Sequence, residues 1–299
     1  MNNHRIATSV IGSYPVSINN MDFMSRYFTQ KEINWNIYIS SAVQDMTQAG
    51  IDIVADGQTR DPFIQLFTRK LKGCRIRDRT EIHEPIEYVQ PITITDQQFA
   101  RSLLSSQSQL KGVLTGPYTL TKSCVDLFYH NEKELAFAFA HALHQEAQAL
   151  LPFVDFISID EPFFVNECPE YAKELLLTIT KGLSCPTLLH ACGDIVPVIP
   201  ALLEMPVDIL SHEFKASPHL LNAFKEYSFP HHFCVGAVRS DSTEVEPVQE
   251  IVDHVKKACD LFEDKILQIS PDCGQRLLPR TVAYQKLQHL VQAGRIING

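Results

Sequence analysis

Long apolar runs are missing from this sequence of 299 residues, and so is any excess of positive charge. No stretch approaches the roughly eighteen apolar residues that a membrane-spanning helix needs. The 26 lysines and arginines are outnumbered by 35 aspartates and glutamates, for a formal net charge of -9. A nucleic-acid surface needs a basic face that displaces counterions. The composition therefore argues against a membrane span and against a nucleic-acid partner.

The motifs of several common enzyme classes are also missing. The sequence has no G-x-x-x-x-G-K-[ST] loop, no G-x-G-x-x-G after its first predicted strand, no H-E-x-x-H and no G-x-S-x-G. These absences disfavour a kinase, a dinucleotide oxidoreductase, a zincin protease and an α/β-hydrolase. Internal repeats and low-complexity linkers are absent as well, so we expect a single catalytic domain over residues 1–299.

The N-terminal residues carry too short an apolar run for a signal peptide, and we therefore expect a cytoplasmic protein. In that compartment the eight cysteines are expected to be reduced, which favours metal binding or catalysis over disulfides. Six of them have no ligand-rich neighbours, and we interpret them as buried or inert thiols: Cys74, Cys124, Cys168, Cys185, Cys234 and Cys259. Cys192 and Cys273 are left as candidate ligands.

Short β-branched runs alternate with longer helical patterns along the chain. The predicted strands are residues 6–11, 51–55, 112–115, 155–159, 186–190, 208–211, 233–238 and 265–269, and the main predicted helices are 31–49, 132–150, 169–181, 247–262 and 279–293. This alternation indicates a parallel sheet with crossover helices, and about eight strands fit a closed (β/α)8 TIM barrel. A doubly wound open sheet is the alternative. Residues 71–95, rich in Arg, Glu and Pro, predict a β-hairpin or arm inserted after the second strand.

A candidate metal site lies at the ends of the later strands. His190-Ala-Cys192 ends the fifth predicted strand, and Cys273 follows the eighth. Zinc binds imidazole nitrogen and thiolate sulfur, and barrel active sites form at the C-terminal strand ends. Glu213, after the sixth strand, is the candidate fourth ligand. His212 is the alternative for that role, but side chains alternate along a strand, so His212 is expected to point away from the side that Glu213 faces. A chance His-x-Cys pair is the alternative unless these groups share one rim.

Polar residues end four other predicted strands. Gly12 and Ser13 follow the first strand, where backbone N–H groups could hold a carboxylate. Asp160 and Glu161 follow the fourth, where a carboxylate could bind an ammonium group. For each of these residues a turn or helix-cap role is the alternative. Together they suit a small zwitterion better than an apolar ligand.

Seven segments in order carry a family resemblance: Ile11-Gly-Ser-Tyr-Pro15, Asp56-Gly-Gln-Thr-Arg60, Leu114-Thr-Gly-Pro117, Ile159-Asp-Glu-Pro162, His190-Ala-Cys192, Glu213 and Pro271-Asp-Cys-Gly274. The chain resembles the catalytic C-terminal half of cobalamin-independent methionine synthase, and more closely its short single-barrel relatives. The resemblance runs nearly from end to end.

The resemblance implies a zinc enzyme that transfers a methyl group to the thiol of homocysteine and so forms methionine. The implied zinc ligands are His190, Cys192, Glu213 and Cys273. By the same resemblance Ile11 and Ser13, with Gly12 between them, bind the amino-acid carboxylate. Asp160 binds the ammonium group and is a catalytic candidate. Zinc deprotonates a bound thiol, and the thiolate is the nucleophile.

Two positions depart from the long enzymes of that family. Those enzymes have a glutamate near the substrate ammonium group where this chain has Gln58. They also have a histidine that assists the folate leaving group, and Asp241 stands in its place as the second catalytic candidate. The methyl donor is therefore either methyl-tetrahydrofolate or a methyl-corrinoid, and the short relatives imply methylcobalamin or a corrinoid protein.

Three other functions are left as alternatives. A zinc alkyltransferase for another thiol, such as coenzyme M, shares the barrel and the His-x-Cys pattern but needs a sulfonate site. A metal-free barrel like uroporphyrinogen decarboxylase needs basic residues for many carboxylates. A non-catalytic sensor of an amino acid would keep the same pocket without turnover.

Overall fold

Strands and helices alternate in the computed structural model, which describes residues 5–17, 19–29, 33–60 and 63–299. The strands are β1 (Ala7–Thr8), β2 (Ile53–Val54), β3 (Leu71–Ile76), β4 (Thr80–Tyr88), β5 (Gln109–Thr115), β6 (Val125–Asp126), β7 (Phe156–Asp160), β8 (Thr187–His190), β9 (Ile209–His212), β10 (His232–Val238) and β11 (Ile266–Pro271). The helices are α1 (Asn20–Thr29), α2 (Trp35–Ala49), α3 (Phe63–Thr68), α4 (Ile94–Ser102), α5 (Pro117–Ser123), α6 (Glu132–Leu150), α7 (Ala172–Thr180), α8 (Ile199–Leu202), α9 (His219–Phe224), α10 (Val248–Phe262) and α11 (Arg280–Asn298).

Eight of the strands form one parallel barrel. Their order is β1-β11-β10-β9-β8-β7-β5-β2, and a parallel bridge between Ser9 and Ile53 joins β1 to β2 at the two ends of that order. The predicted barrel is therefore confirmed, and the alternative of an open, doubly wound sheet is wrong. All eight predicted strand positions coincide with barrel strands, because β-branched runs that are buried on both faces mark parallel strands.

The long helices cover the barrel with their apolar faces. In α6, Leu135, Phe139 and Leu143 repeat at helical spacing and are fully buried. The predicted helices 247–262 and 279–293 correspond to α10 and α11, which Pro247 and Pro279 directly precede. The helix predicted from residue 169 begins instead at Ala172, because residues 169–171 form a turn before it. The helix predicted from residue 31 is described from Trp35, and residues 31–32 lie outside the described residues.

The predicted arm is a hairpin of β3 and β4, which pair antiparallel, and β6 adds a short parallel strand beside β4. The hairpin ends at Tyr88, and the last predicted arm residues belong to a loop and to α4. Glu146 of α6 is fully buried and fastens this region. Its carboxylate accepts hydrogen bonds from the Tyr88 hydroxyl and from the backbone N–H groups of Ile92 and Thr93. None of the described helices combines the length and the apolar character needed to cross a membrane.

Candidate active site

Four neighbouring strands end in one polar row at the C-terminal rim of the barrel. Thr115 of β5 is in register with Asp160 of β7, Asp160 with His190 of β8, and His190 with Ser211 of β9. Residues in register on adjacent strands point to the same side of a sheet. The row therefore places an acid beside an imidazole where barrel active sites form.

Three soft ligands converge on this rim. Ligand atoms of His190, Cys192 and Cys273 all lie within 4.8 Å of one another. His190 is only 2% exposed, whereas the two cysteines are half-buried. Within the described part of the chain, this is the one group of histidine, cysteine and acidic side chains close enough to hold a metal ion.

The His190 ring is oriented by β9. Its Nδ1 lies 3.1 Å from Ser211 Oγ, while its Nε2 is buried and has no hydrogen-bond partner among the described residues. A buried nitrogen without a partner costs free energy unless a ligand completes it. Burial opposes a charge on this ring, but Cys273, Asp160 and Glu213 together raise the pKa of His190 above its ordinary value.

Cys273 is held by the loop that follows β10. The Ser240 hydroxyl donates to the Cys273 carbonyl oxygen at 2.7 Å and accepts from the Cys273 N–H at 3.1 Å. The Cys192 thiol beside it, together with burial, raises the pKa of Cys273 well above the usual thiol value. Two crowded thiols and an unpaired imidazole nitrogen form a donor set that a soft divalent cation would satisfy. Zinc, which prefers sulfur and nitrogen ligands, fits it.

The two candidates for a fourth ligand are placed differently. Glu213 is half-buried just after β9 and lies outside the group of three, although its charge acts on His190. His212 is fully buried, stacks on Phe224 and has Nδ1 2.9 Å from the Ala191 carbonyl oxygen. Burial lowers the pKa of His212 to about 3. The opposite parity of these neighbours therefore leaves Glu213 on the rim and His212 against a helix.

A second group of polar side chains, the candidate substrate pocket, adjoins the row at Asp160. A Cβ built on Gly12 would lie 2.7 Å from Gln58 Oε1 and 3.5 Å from Asp160 Oδ2, so both side chains converge on that glycine. Gly12 has φ +43° and Gln58 also has a positive φ. The Ser158 hydroxyl donates to Asp160 at 2.8 Å. Burial raises the pKa of Asp160, while His190 and the buried Lys111 act against that shift.

The loop after β1 connects this pocket to the cysteine loop. Ile11 is buried in the barrel interior beside Leu188 and Ile209. The Ser13 carbonyl oxygen accepts the Gln275 N–H at 2.8 Å. A Cβ on Gly274 would lie 2.4 Å from Ser13 Oγ, so glycine permits that close approach. The structure thus brings the substrate-binding candidates of β1, β2 and β7 close to the loop that carries Cys273.

Glu161, the neighbour of Asp160, has a structural role. It is fully buried, and its carboxylate accepts from the backbone N–H groups of Tyr118 and Thr119 and from the Thr119 hydroxyl. Burial raises the pKa of Glu161 to about 7. Its partners cap the start of α5, so Glu161 corresponds to the helix-cap alternative and not to a substrate ligand.

Asp241 lies on the loop after β10 and is exposed. The Arg239 guanidinium donates two hydrogen bonds to its carboxylate, at 2.8 and 2.7 Å, and these bonds lower the pKa of Asp241. The loop is fastened by Glu246, which accepts the Arg239 N–H and pairs with the fully buried Lys286 at 2.7 Å. Asp241 is thus a fixed anion one residue beyond Ser240.

The other six cysteines take no part in the ligand group. Burial raises the pKa of every one of them, to about 12 for Cys74 and Cys124. None of the eight cysteines forms a disulfide. Cys124 and Cys234 are buried, the other four are half-buried, and none of the six lies among other candidate ligands in the part of the chain that the structure describes. A thiol that stays protonated is a poor nucleophile. Their environment agrees with the interpretation of these six as inert.

Three residues that support the site were not predicted from the sequence: Ser211, Ser240 and Asp272. The alternation of side chains along β9 could have indicated Ser211 as a rim residue, since it is in register with His190. Ser240 had no comparable signal, because it meets Cys273 across 33 residues of chain.

Comparisons with known proteins agree with the barrel fold. Residues 6–295 match the family described as the cobalamin-independent synthase, catalytic domain. The chain is 31% identical to the methionine synthase of Methanocaldococcus jannaschii, with 97% of this chain and 99% of that protein covered. It is 32% identical to the methionine synthase of Methanothermobacter thermautotrophicus, with 96% and 98% covered.

A solved structure gives the same picture. The B12-independent methionine synthase from Shewanella sp. W3-18-1, in complex with selenomethionine, superimposes with a TM-score of 0.82 at 25% identity and covers 98% of each chain. The fold and the rim define a (β/α)8 methyltransferase. The chain belongs to the cobalamin-independent methionine synthase family and is an enzyme of the methionine synthase type.

Proposed function

We propose that this enzyme transfers a methyl group to the thiol of homocysteine, with zinc held by His190, Cys192, Glu213 and Cys273. The convergence of three ligand atoms within 4.8 Å, one of them on a buried imidazole, carries the proposal. A bound cation would supply the partner that the buried His190 Nε2 lacks. Glu213 supplies the exchangeable position, because a carboxylate is a harder ligand than a thiolate.

The pocket beside the zinc ligands supports an amino-acid substrate. The Asp160 carboxylate and the Gln58 amide oxygen both approach Gly12 and can accept hydrogen bonds from an ammonium group. The backbone of Ile11, Gly12 and Ser13 is the candidate site for the carboxylate. The Shewanella relative binds selenomethionine, which carries the same amino-acid end as methionine.

Each residue then has a distinct task. When zinc is bound, it would keep the substrate sulfur as a thiolate at neutral pH. Asp160 anchors the ammonium end, and its place beside His190 sets the distance from that end to the sulfur. Ser211 and Ser240 hold the His190 ring and the Cys273 backbone in place. Fixed ligands reduce the reorganisation needed when substrate arrives.

We further propose a methyl-corrinoid donor, either methylcobalamin or a corrinoid protein. The thiolate sulfur forms the new C–S bond, and the electron pair of the broken bond stays with the leaving group. A folate nitrogen that takes this pair needs a proton, whereas the cobalt of a corrinoid does not. Asp241 is held ionised by Arg239, which makes it a poor proton donor. This environment favours a leaving group that needs no proton.

The Asp160 pocket argues against a sulfonate thiol such as coenzyme M. A sulfonate placed there would meet a carboxylate, and like charges at close range repel. Family membership likewise disfavours a barrel of the uroporphyrinogen decarboxylase type. A non-catalytic sensor would bind zinc and amino acid without turnover.

The test is zinc content measured together with methionine formation. We expect about one zinc per chain in protein purified without chelator, and less than about half would contradict the zinc site. Homocysteine is supplied with methylcobalamin or with methyl-tetrahydrofolate in separate reactions. Methionine from the corrinoid alone is the expected result. Turnover with methyl-folate alone would overturn the corrinoid donor, and binding of homocysteine without turnover on either donor would favour the sensor.

A further inference from the structure

Asp272, which directly precedes Cys273, joins the loops that carry two of the candidate ligands. It is 2% exposed. Its Oδ1 accepts the Lys215 N–H at 2.9 Å, and its Oδ2 accepts the Ala216 N–H at 2.7 Å. Its own N–H donates to the Val238 carbonyl oxygen at 2.8 Å. One carboxylate therefore fastens the segment just after Glu213 to the end of β11.

This link crosses an entire strand. Glu213 follows β9 and Cys273 follows β11, and β10 lies between them in the sheet. The crossing occurs at Gly236 of β10, where a Cβ would lie 2.2 Å from Asp272 Oδ1 and 2.6 Å from the His212 carbonyl oxygen. A glycine is needed here because any side chain would fill the path of the carboxylate.

We propose that Asp272 is a positioning residue that sets the place of Glu213 relative to Cys273. The inference rests on the proposed zinc site and adds a residue that does not itself bind the metal. Loss of an outer group that orients a metal ligand typically lowers metal affinity by about 10- to 100-fold. Glu213 is half-buried on a loop. The two hydrogen bonds from Lys215 and Ala216 to Asp272 hold that loop within three residues of Glu213.

Asp272→Asn tests this role with little change in shape. An asparagine keeps one acceptor oxygen and therefore one of the two hydrogen bonds. Its NH2 group would face the other backbone N–H, and two donors cannot form a hydrogen bond with each other. The loop should then move, and the zinc affinity of the full-length protein should fall by about 10- to 100-fold. Affinity is measured by competition with a chromophoric chelator, using zinc alone as the ligand.

A double-mutant cycle asks whether Asp272 acts through Glu213. Glu213→Gln should weaken zinc binding on its own. Adding Asp272→Asn to it should then cost less than about threefold more, since residues that act as a unit are not additive. Full additivity of the two substitutions, or a wild-type zinc affinity in Asp272→Asn, would overturn the proposal.

Glu146→Gln is the matched control. Glu146 is also a fully buried carboxylate that accepts two backbone N–H groups, at 2.8 and 2.6 Å, but it fastens the arm instead of the rim. It should lower the thermal stability of the metal-free protein and leave zinc affinity unchanged. A loss of zinc affinity in this control equal to that of Asp272→Asn would mean that general destabilisation explains both.

A second variant, Asp272→Glu, and the zinc content of the wild-type protein provide two further comparisons. Where Asp272→Asn does not fold, Asp272→Glu retains both oxygens but moves them by one methylene, and wild-type zinc affinity in that variant would overturn the proposal. Wild-type protein that binds no zinc contradicts the zinc site itself. Wild-type protein that binds zinc beside an unaffected Asp272→Asn contradicts only the positioning role.

Discussion

Asp160 and His190 are register partners on the neighbouring strands β7 and β8. The acid proposed to bind the substrate ammonium group thus lies next to the imidazole proposed to bind zinc. Strand pairing holds the two side chains on the same side of the sheet, and neither depends on a flexible loop for its position. Under the proposed function, the hydrogen-bond ladder of the barrel would set the spacing between the two ends of the substrate.

Cys273→Ser should abolish both zinc retention and methyl transfer. A serine hydroxyl stays protonated and cannot replace the thiolate, so zinc affinity should fall by more than about 100-fold. Zinc per chain after dialysis, and methionine formation, are the measurements. Cys259→Ser is the control, because Cys259 lies on α10 outside the ligand group and should change neither value. Full zinc content in Cys273→Ser would remove Cys273 from the ligand set.

Asp160→Asn should weaken homocysteine binding selectively. Loss of a charged partner for the ammonium group costs about 1.5–3 kcal/mol, or roughly 10- to 100-fold in KM. The Ser158 hydroxyl can still donate to the amide oxygen, so the fold should be kept. A thiol without an ammonium group, such as 2-mercaptoethanesulfonate, should react no more slowly than with wild type. Equal losses for both thiols would show that Asp160 does not recognise the ammonium group.

Gly12→Ala should raise the KM for homocysteine. The new methyl group would crowd Gln58 Oε1 at 2.7 Å, and the positive φ would add strain of about 1 kcal/mol. Gly182→Ala is the matched control, since Gly182 also has a positive φ (+72°) but its Cβ would meet Gln148 Nε2 only at 3.6 Å. Both variants should unfold more easily in urea. A normal KM in Gly12→Ala would place the substrate elsewhere.

His254→Gln should make the protein less sensitive to acid. Burial lowers the pKa of His254 to about 4 in the folded state, so the folded protein keeps this ring neutral. In the unfolded state the ring binds a proton once the pH falls below the ordinary histidine pKa of 6.5. The contribution of the neutral ring to the unfolding free energy is therefore complete at neutral pH and is lost as pH falls from 6.5 towards 4. At pH 5 the loss is about 2 kcal/mol.

Glutamine can keep the hydrogen bond that His254 Nε2 makes with the Gly236 carbonyl oxygen at 3.0 Å. Urea unfolding at pH 7 and at pH 5 gives the comparison. The drop in unfolding free energy between the two values should be smaller in His254→Gln than in wild type. An identical drop would mean that His254 is not neutral in the folded state.

The amino-acid sequence by itself determined the barrel and the ends of its strands. Buried parallel strands read as short β-branched runs, and in such a sheet the residues that follow each run must gather on one rim. His190, Cys192 and Cys273 lie at or just after the ends of two such runs, and their ligand atoms converge in the structure. The sequence also separated Glu213 from His212, because side chains alternate along a strand.

The tertiary structure alone decided how the site is held. Ser240 meets Cys273 across 33 residues, and Asp272 meets Lys215 across 57. Such contacts depend on the closure of the barrel and on a glycine at Gly236, and they leave no periodic pattern in the sequence. Glu161, an acid as prominent as Asp160 in the sequence, caps a helix instead, because it lies just beyond the end of β7 and its carboxylate accepts the backbone N–H groups that begin α5. Local periodicity specifies which residues reach the rim, whereas contacts between distant loops fix the distances that chemistry requires.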